Sequence, residues 1–287
     1  MHVLLTGATG YIGSSVLSAL LSRGHDVTAV VRGDDKAAAV RERGATGVVA
    51  DLMDRDEAVR LMRAANGVIH LASDPDDAEG FDRAVAEAAV DALSGTDTPY
   101  VHTGGCWVYG AGDAIEETDP YDPPALTAWR PGVIALLEAA DVPVTVVHPG
   151  IVHGGGKGLV PMTTEGAKDD AGRIRLVGDG SQHWTTIHVD DLADLYVAVL
   201  EAGSGFADVL GVSGQNPTFA EIAAATGAET LPEEPAATRE RLGDAFAEAM
   251  LLDQQASGDK ARAIGGWAPK RPGLLEELRA QASGTNR

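Results

Sequence analysis

The segment Gly7-Ala8-Thr9-Gly10-Tyr11-Ile12-Gly13 constrains this chain more than any other stretch. It follows an apolar run, His2 to Leu5. It opens a second stretch with apolar residues at Ile12, Val16, Leu17, Leu20 and Leu21, which is the spacing of one helix face, and Gly24 closes that stretch. Val27 to Val31 is a second β-rich run. The first 32 residues therefore predict strand, glycine turn, helix and strand, a βαβ unit whose crossover is right-handed. The spacing G-x-x-G-x-x-G alone says little, but between a strand and a helix it is specific. Its glycines let the backbone turn tightly and let a pyrophosphate reach the amides. The helix start adds unpaired N–H groups and a positive dipole end. We read Gly7, Thr9, Gly10, Tyr11, Ile12 and Gly13 as the pyrophosphate turn of a nicotinamide-dinucleotide site.

The alternation continues. Helical spacing recurs at 37–43, 54–65, 81–92 and 133–140, and β-rich runs at 47–50, 67–71, 100–103 and 142–148. The implied fold class is α/β, a Rossmann-type doubly wound parallel sheet with a smaller C-terminal substrate lobe. The chain divides into a cofactor domain at 1–152, to which 184–204 returns, and a substrate lobe at 153–183 and 205–287. Within that lobe 153–183 reads as Gly-rich and irregular, and 229–240 as an acidic surface loop.

The second strand chooses the cofactor. An NAD site places an acid at its end, accepting from the ribose 2′-hydroxyl. Here the strand ends Val30-Val31-Arg32, with Lys36 one turn on. A planar guanidinium suits a 2′-phosphate, so the expectation is NADP, with NAD the lesser alternative. Asp51 and Leu52 follow the third strand, where a carboxylate can accept from the adenine amino group. Leu71, Ala72 and Ser73 follow the fourth, where a ligand crosses the sheet edge.

Composition removes other classes. The net charge of −21 argues against nucleic acid and anionic membranes. The apolar runs are too short to span a bilayer, and the start lacks the basic region and cleavage site of a signal peptide. One cysteine, Cys106, makes neither an internal disulfide nor a metal site by itself. The expected setting is cytoplasmic and the expected partner a small-molecule substrate, with no metal and the chain a monomer or homodimer.

These motifs resemble the extended short-chain dehydrogenase/reductase superfamily, which includes nucleotide-sugar epimerases and dehydratases. The residues that carry the resemblance are TGATGYIG at 6–13, DL at 51–52, HLAS at 70–73 and VYG at 108–110. HPGIVHGGG at 148–156, GDGSQHWTTIHVDDLADLY at 178–196 and a C-terminal stretch at 252–278 continue it. The resemblance implies that Pro149, Gly150 and Ile151 lie near the nicotinamide and that Leu71 to Ser73 line the cofactor ribose.

The family's catalytic set, a Ser or Thr and a helical Tyr-x-x-x-Lys, does not carry over. The Ser position is Gly105. The best register puts Trp129 at the Tyr position and Val133 at the Lys position, and no Tyr or Lys occurs anywhere in 128–134. The chain thus looks like an atypical branch of the superfamily. An indole is no acid at neutral pH, and valine has no proton chemistry. The candidate catalytic residues become Thr103, Tyr109 and His153, since a histidine shuttles protons near neutrality. Trp129, His153, Lys157 and His183 are the candidate substrate contacts. Three readings stay open. They are an NADP-dependent oxidoreductase acting on a carbonyl, imine or activated alkene, a redox-sensing protein that binds NADP without turnover, and a non-redox isomerase, lyase or cyclase in the same cleft.

Overall fold

The computed structural model describes residues 1–203 and 206–284. The expected domain limits at residues 204, 205 and 287 lie outside the described residues.

Seven strands form one parallel sheet. They are β1 (His2–Thr6), β2 (Asp26–Val31), β3 (Thr46–Val49), β4 (Gly67–His70), β5 (Tyr100–Thr103), β7 (Val144–Pro149) and β11 (Ala207–Gly211), in the order β11-β7-β5-β4-β1-β2-β3. The chain winds outward in both directions from β1 and β4. Their carboxyl ends flank the point where the order reverses, and there a crevice opens for a ligand. Burial of β4 on both faces explains its unbroken apolar run Gly67-Val68-Ile69.

Helices α1 (Tyr11–Ser22), α2 (Asp34–Glu42) and α7 (Val189–Ala202) share one buried cluster with the sheet, through Val16, Leu17, Val40 and Tyr196. Helices α3 (Arg55–Arg63), α4 (Ala78–Leu93) and α5 (Arg130–Ala139) share the other, through Met62, Val85, Ala89 and Leu137. Local chemistry sets their ends. Asp54 caps α3 by accepting from Glu57 N at 3.2 Å. Asp77 caps α4 by accepting from Gly80 N at 2.9 Å, which starts that helix three residues before the expected Phe81. Pro131 falls in the first turn of α5, where its missing N–H costs nothing, so α5 starts at Arg130 rather than Val133.

The smaller strands are β6 (Gly112–Ile115), β8 (Ile151–His153), β9 (Ile174–Arg175), β10 (Thr186–His188), β12 (Thr230–Leu231) and β13 (Gln254–Ala256). They pair as β8 with β10, β9 with β12 and β6 with β13. Helices α6 (Leu159–Thr164), α8 (Phe219–Ala225), α9 (Pro235–Leu242), α10 (Asp244–Met250), α11 (Asp259–Arg262) and α12 (Leu274–Ala282) complete the chain. A separate core forms here around Val160, Trp184, Phe219, Met250, Leu274 and Leu278.

Two sequence expectations change. β11 is the edge strand of the main sheet, beside β7, although 205–287 was assigned to the substrate lobe. A five-residue strand pairing over its whole length satisfies its backbone on the sheet, and short apolar runs do not reveal which sheet they join. Ala261, Ile264 and Trp267 also pack into the α1–α7 core. The stretch at 229–240 holds α9 rather than being all loop, begun by Pro235 and fixed by Arg241, which donates to Glu233 and to the Leu176 carbonyl. Among the described residues no helix is long and apolar enough to cross a membrane, and no group of three or more His, Cys, Asp or Glu residues is placed to hold a metal ion.

Candidate active site

Two cavities lie at the carboxyl edge of the sheet and meet at the glycine turn. The first, of about 350 Å³, is lined by Gly7, Thr9, Gly10, Arg32, Lys36, Asp51, Leu52, Leu71, Ala72, Ser73 and Phe81, besides Val30, Val31 and Ala50. It brings together the whole expected adenosine side. Arg32 is two-thirds exposed and sits 3.7 Å from Asp74, so it is loosely held and free to meet an anion. Asp51 spends one oxygen on Met53 N at 2.9 Å.

The turn itself is built for close approach. Gly7 has φ +71°, and a Cβ there would lie 2.6 Å from the Leu71 carbonyl carbon. A Cβ at Gly13 would collide with the Gly7 carbonyl oxygen. Gly10 caps α1 without a side chain, which leaves the first N–H groups of the helix open to a ligand. These features fit a dinucleotide pyrophosphate, with Thr9 to Ile12 as its cradle.

Below the turn, Thr6 ties β1 to β4. Its hydroxyl accepts from Leu71 N and Ala72 N, each at 3.1 Å, and lies 2.8 Å from His70 Nδ1. With two N–H groups already donating to it, the hydroxyl gives its proton to Nδ1, and the tautomer this assigns puts the ring proton on Nε2. That proton is donated to Asp82 Oδ1 at 3.1 Å. The other Asp82 oxygen faces His102 Nε2 at 3.4 Å, and Tyr100 OH donates to His102 Nδ1 at 3.2 Å. Burial would raise the Asp82 carboxyl, but electrostatic attraction and hydrogen bonding from His102 and His70 outweigh it and hold the group well below the usual carboxylate range. This buried network escaped the sequence reading. A histidine ending a strand and an aspartate inside a helix carry no sign of each other.

The second cavity, of about 450 Å³, is lined by Tyr11, Ile12, Thr103, Trp129, Pro149, Gly150 and Ile151 from the expected set. It adds residues that the sequence did not single out, among them Trp107, Leu126, Thr127, Arg130, Leu159 and Gln254. Tyr11 OH donates to the Gly154 carbonyl at 2.8 Å; burial, then the Glu277 and Asp190 carboxylates, push the phenol up. It is a wall of the site rather than an acid. Arg130 follows Trp129 directly, and no motif in the sequence marks it as a site residue.

Several expected site residues are elsewhere. Thr103 lines the cavity, but its hydroxyl donates to the His70 carbonyl at 2.6 Å and sits 2.9 Å from Tyr196 OH, so it has no proton to offer a substrate. Tyr109 is buried in an aromatic cluster, ring to ring with Tyr121 and His148 at 5.3 and 5.2 Å, and burial pushes its phenol up. His153 is 2% exposed, pairs with Glu277 at 2.8 Å and lies edge-on to His188, outside the cavity. Ile151 and Val152 both line the cavity, and His153 is held away from it by its pairing with Glu277 and its packing against His188. His183 pairs with Asp253 at 2.9 Å, also outside it. Lys157 is exposed and does not line it. Val133 is wholly buried in the core cluster of α3, α4 and α5, so nothing at the expected lysine position faces the cofactor.

The arrangement has clear relatives. Residues 3–209 match the model of the NAD dependent epimerase/dehydratase family. The chain belongs to that family. Over 99% of both chains it is 31% identical to the uncharacterized protein YLL056C of Saccharomyces cerevisiae. It is 28% identical to a 3-diazoavenalumate denitrifying reductase from a Streptomyces species, covering 97% of this chain and 99% of that one. The fold also matches the human epimerase family protein SDR39U1, solved with NADPH, at a TM-score of 0.72 and 23% identity, over 99% of both chains. The family's cofactor is a nicotinamide dinucleotide, and the paired cavities have the lining to take one.

Proposed function

We propose that the chain is an NADP-dependent oxidoreductase acting on a carbonyl, imine or activated alkene of a small molecule. One observation carries this reading. The cavity behind the glycine turn, beside Pro149 to Ile151, is apolar and adjoins a second cavity whose rim holds Arg32 and Lys36. Dinucleotide and substrate then meet at Thr103 and Trp129. The reductase name of the Streptomyces relative supports a reductive direction. The absence of an acid at the end of β2, with Arg32 only loosely paired to Asp74, supports NADP over NAD. Residues 1–152 with 184–204 would hold the cofactor, and most of the remainder would shape the substrate side.

The test is binding, then turnover. NADPH should bind more tightly than NADH, and Arg32→Ala should cut that preference by roughly tenfold, as for one exposed charge-assisted contact. An unchanged ratio defeats the NADP assignment. Loss of NADPH absorbance with any member of a carbonyl and imine panel supports the oxidoreductase. The commitment of the Thr103 hydroxyl to His70 and Tyr196 favours a second reading, a sensor that binds NADP without turnover. Tight binding with no turnover across the panel selects it.

A further inference from the structure

Among the described residues Arg130 is the one charged side chain lining the substrate-side cavity. Its Nη1 donates to the Thr103 carbonyl at 2.9 Å, and its guanidinium carbon lies 4.6 Å from the centroid of the Trp129 ring. Among the described residues it forms no ion pair. A guanidinium carries five N–H donors in a rigid fork, so one hydrogen bond leaves most of it unspent. A half-buried cation without a carboxylate partner carries a desolvation cost, and such a group in a cleft is a candidate to meet a ligand. The nearest compensation is the field of Asp82, felt without direct contact.

A second observation points the same way. Thr127 lines this cavity, is 9% exposed as a residue, and its buried Oγ1 has no hydrogen-bond partner among the described residues. A buried, unpartnered hydroxyl is the mark of a group that awaits one. The rest of the lining is mostly apolar. Trp129 leans on the core of the sheet and Trp107 on the core of the smaller lobe, with Leu126, Ile151 and Leu159 between them.

We propose that Arg130 and Thr127 receive the substrate's oxygen, and that the substrate is a planar, uncharged carbonyl compound rather than a nucleotide sugar. This rests on the oxidoreductase reading above and gives it a substrate class. A nucleoside diphosphate carries at least two negative charges and calls for several cations. Three arginines of the smaller lobe are committed elsewhere: Arg173 to Asp169, Arg241 to Glu233 and Arg262 to the Ser257 and Ser213 carbonyls. None of them lines the cavity.

The chemistry balances with a reduced nicotinamide dinucleotide as the reductant. The carbonyl carbon gains a hydride, and the C=O π pair moves onto oxygen. The resulting alkoxide takes a proton from water, while the dinucleotide loses two electrons. Arg130 holds the developing negative charge by hydrogen bonding and by its own charge, which is where such a donor acts most strongly. It does not give up its proton. The missing tyrosine is then replaced by electrostatic stabilisation plus solvent.

Phenanthrenequinone, a planar uncharged dicarbonyl, is the probe, used without oxygen on the NADPH-loaded protein. The expected results are quenching of tryptophan fluorescence on binding and NADPH consumption by the wild type. Arg130→Met should lower kcat by roughly a hundredfold with NADPH affinity retained, in the manner of an oxyanion donor removed. Added guanidinium should restore part of the rate to Arg130→Ala. Thr127→Val should cost roughly tenfold, and Thr127→Ser should stay near wild type. Excess UDP-glucose should not compete. Should Arg130→Met fail to fold, Arg130→Lys and the Thr127 pair carry the test. Wild-type kcat in Arg130→Met or Arg130→Lys overturns the proposal. So does competition by UDP-glucose, and so does a wild type that holds NADPH yet neither binds nor reduces the quinone. Failure to bind NADPH at all sinks the oxidoreductase reading itself, and this proposal with it.

Discussion

The two cavities that share the glycine turn are made in different ways. The cavity that holds Arg32 is assembled, Phe81 of α4 aside, from residues at the ends of β1, β2, β3 and β4, each a few positions from its own strand. Its chemistry is mostly backbone: open amides, a helix start and glycines without Cβ atoms. The nicotinamide side draws on loops and helices as far apart in sequence as Tyr11 and Gln254. Its chemistry is in side chains, and those are the ones that depart from the family's pattern. A backbone site tolerates little change because its geometry is its function. A side-chain site can exchange a tyrosine for an indole and leave the sheet beneath it intact.

The largest break in this contrast is expected at Gly13. Gly13→Val drives side-chain atoms into the Gly7 carbonyl. NADPH binding should be abolished by isothermal titration, with stability lowered by about 1–3 kcal/mol or more through overpacking. Retained binding would mean that the turn is not the pyrophosphate cradle.

Next comes the network beneath both cavities. Asp82→Ala removes the carboxylate that His70 and His102 share and should cost about 1–3 kcal/mol for each ring N–H left buried without an acceptor. Urea midpoints would show it. Because His70 positions Thr6, which in turn holds the Leu71 and Ala72 amides, adenosine-side binding should weaken as well. A loss of stability with unchanged NADPH affinity would separate the network from the site.

A smaller effect follows from pH. Burial holds the His102 imidazole below its ordinary value despite the Asp82 carboxylate. As pH falls, the unfolded chain therefore takes up a proton here before the folded chain does. The stability tied to this group is full above about pH 6.5 and declines below it. Melting temperatures measured on either side of that value should show the decline, and His102→Asn should flatten it. An unaltered profile in the variant would place the titration elsewhere.

The smallest effect is expected at His153. His153→Gln should leave kcat unchanged in any assay that finds turnover, because the ring pairs with Glu277 outside the cavity. A large fall in kcat with intact folding would return His153 to the active site and break the division drawn here.

The adenosine side was legible because strand, turn and helix are consecutive there. Gly7 to Gly13, Arg32, Asp51 and Leu71 to Ser73 each lie at a strand end, and a parallel sheet brings strand ends to one edge. The substrate side was legible only in part. Pro149 to Ile151 and Trp129 reached the cavity as expected. Tyr109, His153, Lys157 and His183 did not, because chemical type says nothing about which way a side chain faces. Pairing with Glu277 held His153 outside the cavity, and packing against Tyr121 and His148 buried Tyr109.

By itself the sequence determined the parallel sheet, the cofactor turn and the absence of the Tyr-x-x-x-Lys pair. Those depend on local order, on glycine's missing Cβ and on which residue types are present. Only the tertiary structure decided that β11 joins the main sheet, that Asp82 stands between two histidines, and that Arg130 and Thr127 share a cavity lining with Tyr11 and Gln254. Such facts depend on contacts between distant segments, and those form only when the apolar faces on both sides of the sheet, and in the smaller lobe, are buried together.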